Sequence, residues 1–230
     1  MNTTLNLRYV IRGNIQHLPP VLRLQTQIPA PIIVLKQNVY EHIQKKYPEY
    51  ADRTKLILTD KEIQQYLDAH KIRVVVFPAF STMRRCKEVQ IFHGGLSDKT
   101  HLETPRLSLY DLILFPGQKS VDKVKKANLL DKIIEWDIIG YPKFDPMLTN
   151  QLTYEKCFNN DKPTILYAPT WISATRPKAG DVAHRFSPHG ESSLPLWGLE
   201  IVKEVSKKYN LIVKFHSKIY ESEENIHKKM

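Results

Sequence analysis

Cysteine is scarce in this sequence, and long apolar runs are missing from it. Only two cysteines occur among 230 residues, Cys86 and Cys157. They lie far apart and match neither a metal-ligand nor a redox spacing, so neither a cysteine-held metal nor a dithiol centre is expected. No apolar run approaches the roughly 20 residues needed to span a bilayer. No N-terminal stretch has the basic, apolar, small-residue order of a signal peptide. A reducing, cytoplasmic location is therefore the default expectation, with peripheral attachment to a membrane left open because Lys-rich surfaces can supply it. No carboxylate cluster demands a metal, and no cofactor is expected. A basic helix or an aromatic-studded strand of the kind that reads nucleic acid is also missing, which argues against a nucleic-acid partner.

Positive charge, by contrast, is abundant. The formal charge is +10, while 42% hydrophobic and 25% charged residues are ordinary for a globular protein. That excess favours anionic partners, whether nucleic acid, phosphorylated metabolites or the acidic face of a membrane, and net charge does not choose among them.

The chain alternates short apolar runs with amphipathic stretches. "PIIVLK" (31–36), "IRVVVFPAF" (72–80), "EVQIFHGG" (88–95) and "YDLILFPG" (110–117) are predicted strands. They are β-branched, nearly continuous in apolar character and closed by Gly or Pro, as strands buried on both faces are. "LRYVIRG" (7–13) is an earlier candidate strand. "DKEIQQYLDAH" (60–70) has helical spacing, with Ile63 and Leu67 on one face and Asp60 as the expected N-cap. "QKSVDKVKKANLLDK" (118–132) reads as a second helix, turning Val121, Val124 and Leu129 or Leu130 inward. Such alternation predicts a parallel sheet in an α/β domain.

"IIEWDIIGYPKFDPM" (133–147) reads as the last strand of that domain and its exit turn, with Asp145 as a possible cap of the next helix. A polar connector follows, and the pattern restarts with a strand at "TILYAPTW" (164–171), a helix at "LWGLEIVKEVSKKY" (196–209) and a strand at "NLIVKFH" (210–216). Residues 172–195 show no periodicity and form a long loop, either functional or disordered. The expected organisation is therefore an N-terminal Rossmann-like domain over 1–150 and a partial one over 162–230. With two strands and one helix the second is incomplete, and truncation is the simpler reading.

Four strand ends carry the chemistry-bearing residues. In open α/β sheets, ligands bind beyond the carboxyl ends of the strands. His93 ends one such strand and is followed by Gly94 and Gly95, which would let backbone N–H groups approach a phosphate, with Lys99 near enough to neutralise it. An unperturbed imidazole titrates near ~6.5, so a histidine there can accept a proton from a hydroxyl at neutral pH. A strand end with a structurally satisfied histidine is the competing explanation. His216 ends "LIVKF" in the second domain, and the two histidines could face a shared interdomain cleft. "YAPTW" offers Thr170 as hydroxyl or cap and Trp171 as stacking face or core residue. "GYPKFD" supplies Lys143 beside a Gly-Tyr-Pro turn.

Taken in order, "VQIFHGG", "YDLILFPG", "GYPKFD", "TILYAPTW" and "LIVKFH" resemble the CDP-glycerol glycerophosphotransferase family, which includes the teichoic-acid glycerol-phosphate and ribitol-phosphate primases and polymerases. The resemblance covers residues 88–216, and "ILYAPTW" is its most specific part. It implies a GT-B fold of two Rossmann-type parallel-sheet domains, acceptor side first and donor side second. It implies transfer of glycerol phosphate, or a related polyol phosphate, from a CDP-activated donor to a hydroxyl acceptor that is lipid-linked or polymeric, in teichoic-acid-like cell-envelope synthesis. His93 then looks like the catalytic base and His216 like the histidine contacting the donor pyrophosphate. Gly94, Gly95, Lys99, Lys143, Thr170, Trp171 and Lys214 fall among the substrate-binding positions, and Arg176 adds a further cation. A peripheral place on the inner face of the membrane is also implied.

The chain departs from the family pattern in three ways. Lys99 comes one residue later than the family's lysine, with Asp98 in its place; Lys143 replaces an arginine; and the later Thr-Asp-Tyr-Ser-Ser segment does not occur. A free-standing activity is accordingly in question for this chain. The alternatives are a GT-B nucleotide-sugar enzyme (a glycosyltransferase, or one like UDP-N-acetylglucosamine 2-epimerase) and a non-catalytic module that docks on a partner or on acidic lipid.

Overall fold

The computed structural model describes residues 6–94, 102–152, 156–170 and 192–215. The chain divides into two compact units, Met1–Leu152 and Thr153–Met230. Among the described residues, no helix is long and apolar enough to cross a membrane.

The first unit is built on a parallel sheet. Its strands are β1 (Leu7–Ile11), β2 (Ile32–Val34), β3 (Thr54–Leu56), β4 (Val74–Phe77), β5 (Lys87–Ile91), β6 (Leu112–Phe115) and β7 (Trp136–Ile138). The helices are α1 (Leu18–Gln25), α2 (Gln37–Lys46), α3 (Asp60–Ala69), α4 (Gln118–Lys126) and the single-turn α5 (Asp145–Leu148). The strand order is β3-β2-β1-β4-β5-β6-β7, and every pairing is parallel. From β1 the chain winds outward through β2 and β3, returns to the other side of β1 with β4, and then winds the opposite way. The winding reverses between β1 and β4.

Why the strands are apolar on both sides follows from the layers. Successive side chains of a strand point to opposite faces. Val10 and Ile33 accordingly join a core with Ile63 and Leu67 of α3 and Val121 and Val124 of α4. Their neighbours Tyr9, Ile11, Ile32 and Val34 join a second core with Val21 of α1 and Val39 and Ile43 of α2. Helices thus cover both faces, which is the condition a parallel sheet needs.

The second unit pairs β8 (Thr164–Tyr167) with β9 (Asn210–Val213) in parallel, joined through α6 (Leu194–Ser206). Ile165 and Leu166 stay exposed there. The architecture is α/β, with parallel sheets in both units.

Several local expectations shift by a residue or a turn. The N-cap of α3 is Thr59, not Asp60. Thr59 Oγ1 accepts from Glu62 N at 3.2 Å, and Thr59 N donates to the Glu62 carboxylate at 3.1 Å, a reciprocal capping box. Asp60 occupies the first helical position instead, where its charge suits the helix dipole. Likewise Asp145 is the first residue of α5 and Phe144 precedes it as N-cap. The helix expected over 118–132 stops at Lys126, because Asn128 adopts φ 54°, a left-handed turn that α-helix cannot continue. Leu129 nevertheless packs inward beyond it. Strand β3 and helices α1 and α2 were not individually anticipated, and β7 runs along an edge with all three residues exposed.

Two substitutions on α3 separate capping from packing. Ile63→Ala, emptying a fully buried site, is expected to cost about 2–5 kcal/mol. Thr59→Ala should cost about 1 kcal/mol. Urea denaturation of the two variants measures both, and an equal cost would contradict this account of the helix.

Candidate functional site

The reversal of winding makes two neighbouring strands send their connections in opposite directions, which opens a crevice at the carboxyl edge between β1 and β4. Three loops reach it. After β1 come Arg12, Gly13 and Asn14, leading through a 3-10 turn (Ile15–His17) into α1. After β4 comes Pro78, and after β5 come Phe92, His93 and Gly94.

His93 stands half-buried at this edge, on the buried Phe92. Phe92 stacks on Phe115 at 5.8 Å and tilts against Phe80 at 5.8 Å, so an aromatic row supports the strand end. The His93 Nδ1 lies 2.9 Å from the carbonyl oxygen of Pro78. A carbonyl only accepts, so the proton of the neutral ring belongs on Nδ1. That tautomer leaves the lone pair on Nε2.

The loop carrying Pro78 is itself pinned. The buried Glu88 carboxylate accepts from the backbone N–H groups of Met83 and Arg84. Ser81 N donates to Tyr110 Oη at 2.9 Å, and Arg12 Nη1 donates to Ser81 Oγ at 2.9 Å. Arg12 also pairs with Asp60 at the start of α3. These contacts tie the ends of β1 and β4 to each other and to the body of the sheet.

A second histidine, one that motif reasoning missed, completes the cluster. His17 is only 8% exposed, and its ring meets that of His93 edge-on, with centroids 4.1 Å apart and planes at 71°. Its seat requires Gly13: a Cβ on that residue would fall 1.9 Å from the His17 ring. Burial, reinforced by His93 and by Lys36, pushes the His17 pKa down to about 4. Lys36 precedes α2 and donates to Asn14 Oδ1, so a cation is fixed beside the crevice. No sequence signal marked His17. Its placement depends on which strands are neighbours, and "IQHLPP" resembles a plain helix start.

The remaining candidates are distributed. Gly94 is partly buried, and a Cβ there would meet nothing within 4 Å. Packing among the described residues does not demand glycine at that position. Lys143 lies in a 3-10 turn (Pro142–Phe144) with Nζ 4.9 Å from the Phe144 ring centroid and 5.8 Å from that of Tyr141. Burial lowers its pKa. The turn begins at Gly140, whose φ of 74° favours glycine. It is anchored near α1 by the Arg23–Asp145 ion pair at 3.5 Å.

In the second unit, Thr170 and Lys214 follow the carboxyl ends of β8 and β9. Thr170 is exposed and its carbonyl accepts from Ser192 Oγ at 2.6 Å. Lys214 N donates to the carbonyl of Tyr167 at 2.9 Å, while its side chain is exposed. Gly95, Lys99, Trp171, Arg176 and His216 lie outside the described residues. Among the described residues, no group of three or more His, Cys, Asp or Glu side chains is placed to hold a metal ion.

No protein-family model matches this sequence, and no curated protein matches it. Among solved structures, the chain is similar to the wall teichoic acid polymerase TagF, with a TM-score of 0.53 at 14% sequence identity. The likeness covers 97% of this chain and 59% of TagF, so the chain spans about three fifths of the length of that structure. At this identity the likeness establishes fold: an α/β, GT-B-like class, the one implied by the ordered motifs.

The depressed pKa of His17 has a measurable consequence. Between about pH 6.5 and pH 4 an unfolded histidine binds a proton that folded His17 does not. Stability therefore falls as pH drops through that window, by on the order of 3 kcal/mol at pH 4. Denaturation of wild type and His17→Phe between pH 7 and pH 4 tests this: the variant should lose that share of the slope, and parallel curves would refute it.

Proposed function

We propose that this chain belongs functionally with the transferases that move glycerol phosphate, or a related polyol phosphate, from a CDP-activated donor to a hydroxyl acceptor of a cell-envelope polymer. The observation that carries the reading is the His93 imidazole, held through Nδ1 by the Pro78 carbonyl at the crevice where the sheet reverses its winding. The similarity to a wall teichoic acid polymerase, at the level of fold, and the ordered motifs support it.

In this reading the acceptor hydroxyl approaches His93 Nε2. Its oxygen forms a new bond to the phosphorus that carries the polyol. The bond from that phosphorus to the bridging pyrophosphate oxygen breaks, CMP departs with the bond's electron pair, and the hydroxyl proton passes to Nε2. Displacement at phosphorus depends mainly on positioning and on stabilising spread negative charge. Gly94 and Gly95 give backbone N–H groups access to the phosphoryl oxygens, and Lys99 and Lys143 add positive charge. Contact with the donor falls to Thr170, Trp171, Lys214 and His216 in the unit over 162–230, while residues 1–150 serve the acceptor. The +10 charge suits an acceptor held at an anionic membrane surface, on its inner, cytoplasmic face.

Transfer assays with CDP-glycerol and a lipid-linked or polymeric hydroxyl acceptor test the reading. Wild type should release CMP, and His93→Ala should lower kcat about a hundredfold to ten-thousandfold. His216→Ala should chiefly weaken the donor interaction. Turnover of UDP-sugars without CDP-glycerol turnover would point instead to a nucleotide-sugar enzyme. Unchanged activity in His93→Ala would remove the base from the scheme.

A further inference from the structure

We propose that the amino edge of the larger sheet carries a second anion site, built by Arg73, Arg84, Arg85 and Lys87, which takes the phosphate group of a lipid headgroup or of a free phosphorylated compound. It lies at the opposite end of the strands from the His93 crevice and does not depend on the chemistry proposed there.

β4 and β5 run side by side, and a recess of about 630 Å3 opens where they begin. Arg73 stands just before β4, Arg84 and Arg85 close the crossing from β4 to β5, and Lys87 opens β5. All four are exposed, and all four line the recess. Among the described residues of its lining the one acid is Asp111, just before β6.

The acids nearby are already committed. Asp111 accepts from Lys87 Nζ at 2.6 Å through one oxygen and from Glu88 N at 2.9 Å through the other. Asp68 stands 4.0 Å from Arg85. Glu88 is buried and accepts from the backbone N–H groups of Met83 and Arg84, so its charge reaches the Arg84 guanidinium only through space. Glu135 acts on Lys87 at longer range. Among the described residues, Arg73 and Arg84 enter no ion pair and rest on no aromatic ring. Two guanidiniums are thus left uncommitted beside two that are paired.

The hollow is also built rather than loose. Arg84 turns at a φ of 54°, and the Glu88 carboxylate holds that turn through the two backbone N–H groups. The point from which the Arg84 side chain departs is therefore fixed against β5. Four like charges gathered at one edge repel one another, and a bound anion relieves that repulsion. A guanidinium presents a planar fork of N–H donors that matches the oxygens of a phosphate and stays charged throughout the working pH range. A phosphate monoester brings between one and two negative charges near neutral pH, the amount that two free guanidiniums can balance.

Nitrogen-15 NMR of the arginine side chains, on the full chain with inorganic phosphate as probe at constant ionic strength, tests the site. The Nε–H signals of Arg73 and Arg84 should move saturably. In Arg73→Gln/Arg84→Gln the affinity, read on Arg85, should fall about tenfold or more. Arg73→Gln alone carries the test if the pair disturbs the folded amide spectrum. Lys45→Gln/Lys46→Gln, which removes the same charge from the exposed end of α2, should bind phosphate as wild type does. Absent or unsaturable shifts overturn the proposal, and so does an equal loss in the two double variants.

Co-sedimentation with phosphatidylcholine vesicles, with and without phosphatidylglycerol, then identifies the source of the phosphate. Retention on the anionic vesicles that falls in Arg73→Gln/Arg84→Gln but not in Lys45→Gln/Lys46→Gln assigns the site to a lipid headgroup. Retention equal in the two variants, with the phosphate shifts intact in wild type, assigns it to a free phosphorylated compound.

Discussion

Parallel pairing forces all seven strands of the larger sheet to leave by the same edge, and the rest of the site follows from that constraint. Strands in a sheet lie about 4.8 Å apart. β1 and β5 are separated by β4 alone, so side chains carried just beyond their ends can meet above it. His17 arrives from the β1 side and His93 from the β5 side. The backbone of Pro78, first residue past β4, lies where the two approaches converge. A carbonyl in that position needs no side chain to orient a histidine. An imidazole and a main-chain oxygen are thereby brought together by strand order alone.

The same edge concentrates features that a purely structural design would avoid. Gly13 gives up a side chain so that His17 can fit. His17 is buried, and among the described residues its Nδ1 has no hydrogen-bond partner, a deficit worth about 1–3 kcal/mol. Lys36 is held close to it, which further disfavours its protonation. Elsewhere the sheet obeys the simple rules, with Val, Ile and Leu alternating into two cores and a reciprocal cap on α3. Local violations gathered in one crevice, within an otherwise consistent fold, are a physical signature of function.

How much of this was legible in the sequence depends on the range of the interaction involved. The strands around Ile33, Val75, Ile91 and Ile113 announce themselves because both faces are buried and nearly every residue is apolar. His93 stands out because it breaks such a run and two glycines follow. The α3 face is equally plain, yet its cap was misplaced by one residue, since Thr59 and Asp60 both carry suitable oxygens and the reciprocal bond to Glu62 decides between them. β3 was passed over because Thr54–Leu56 is too short to show a period. His17 and Gly13 were invisible for a deeper reason. Their meeting with His93 spans more than seventy positions of chain and exists only because the winding reverses beside β1. No local pattern encodes strand order.

Among the described residues, the two units also differ in the packing around their strand ends. His93 stands on a sheet whose faces are both covered, with its strand end backed by Phe92, Phe115 and Phe80. Among the described residues, Thr170 and Lys214 follow the paired strands β8 and β9, where Ile165 and Leu166 face solvent. The proposed chemistry would tolerate that asymmetry. Proton transfer to Nε2 requires the acceptor oxygen within hydrogen-bond reach, and an ångström of displacement is costly. Attraction between a lysine and a pyrophosphate falls only as the inverse of distance and accepts many geometries. In the proposed scheme the steepest demand for fixed geometry falls on His93, which stands on the sheet covered on both faces.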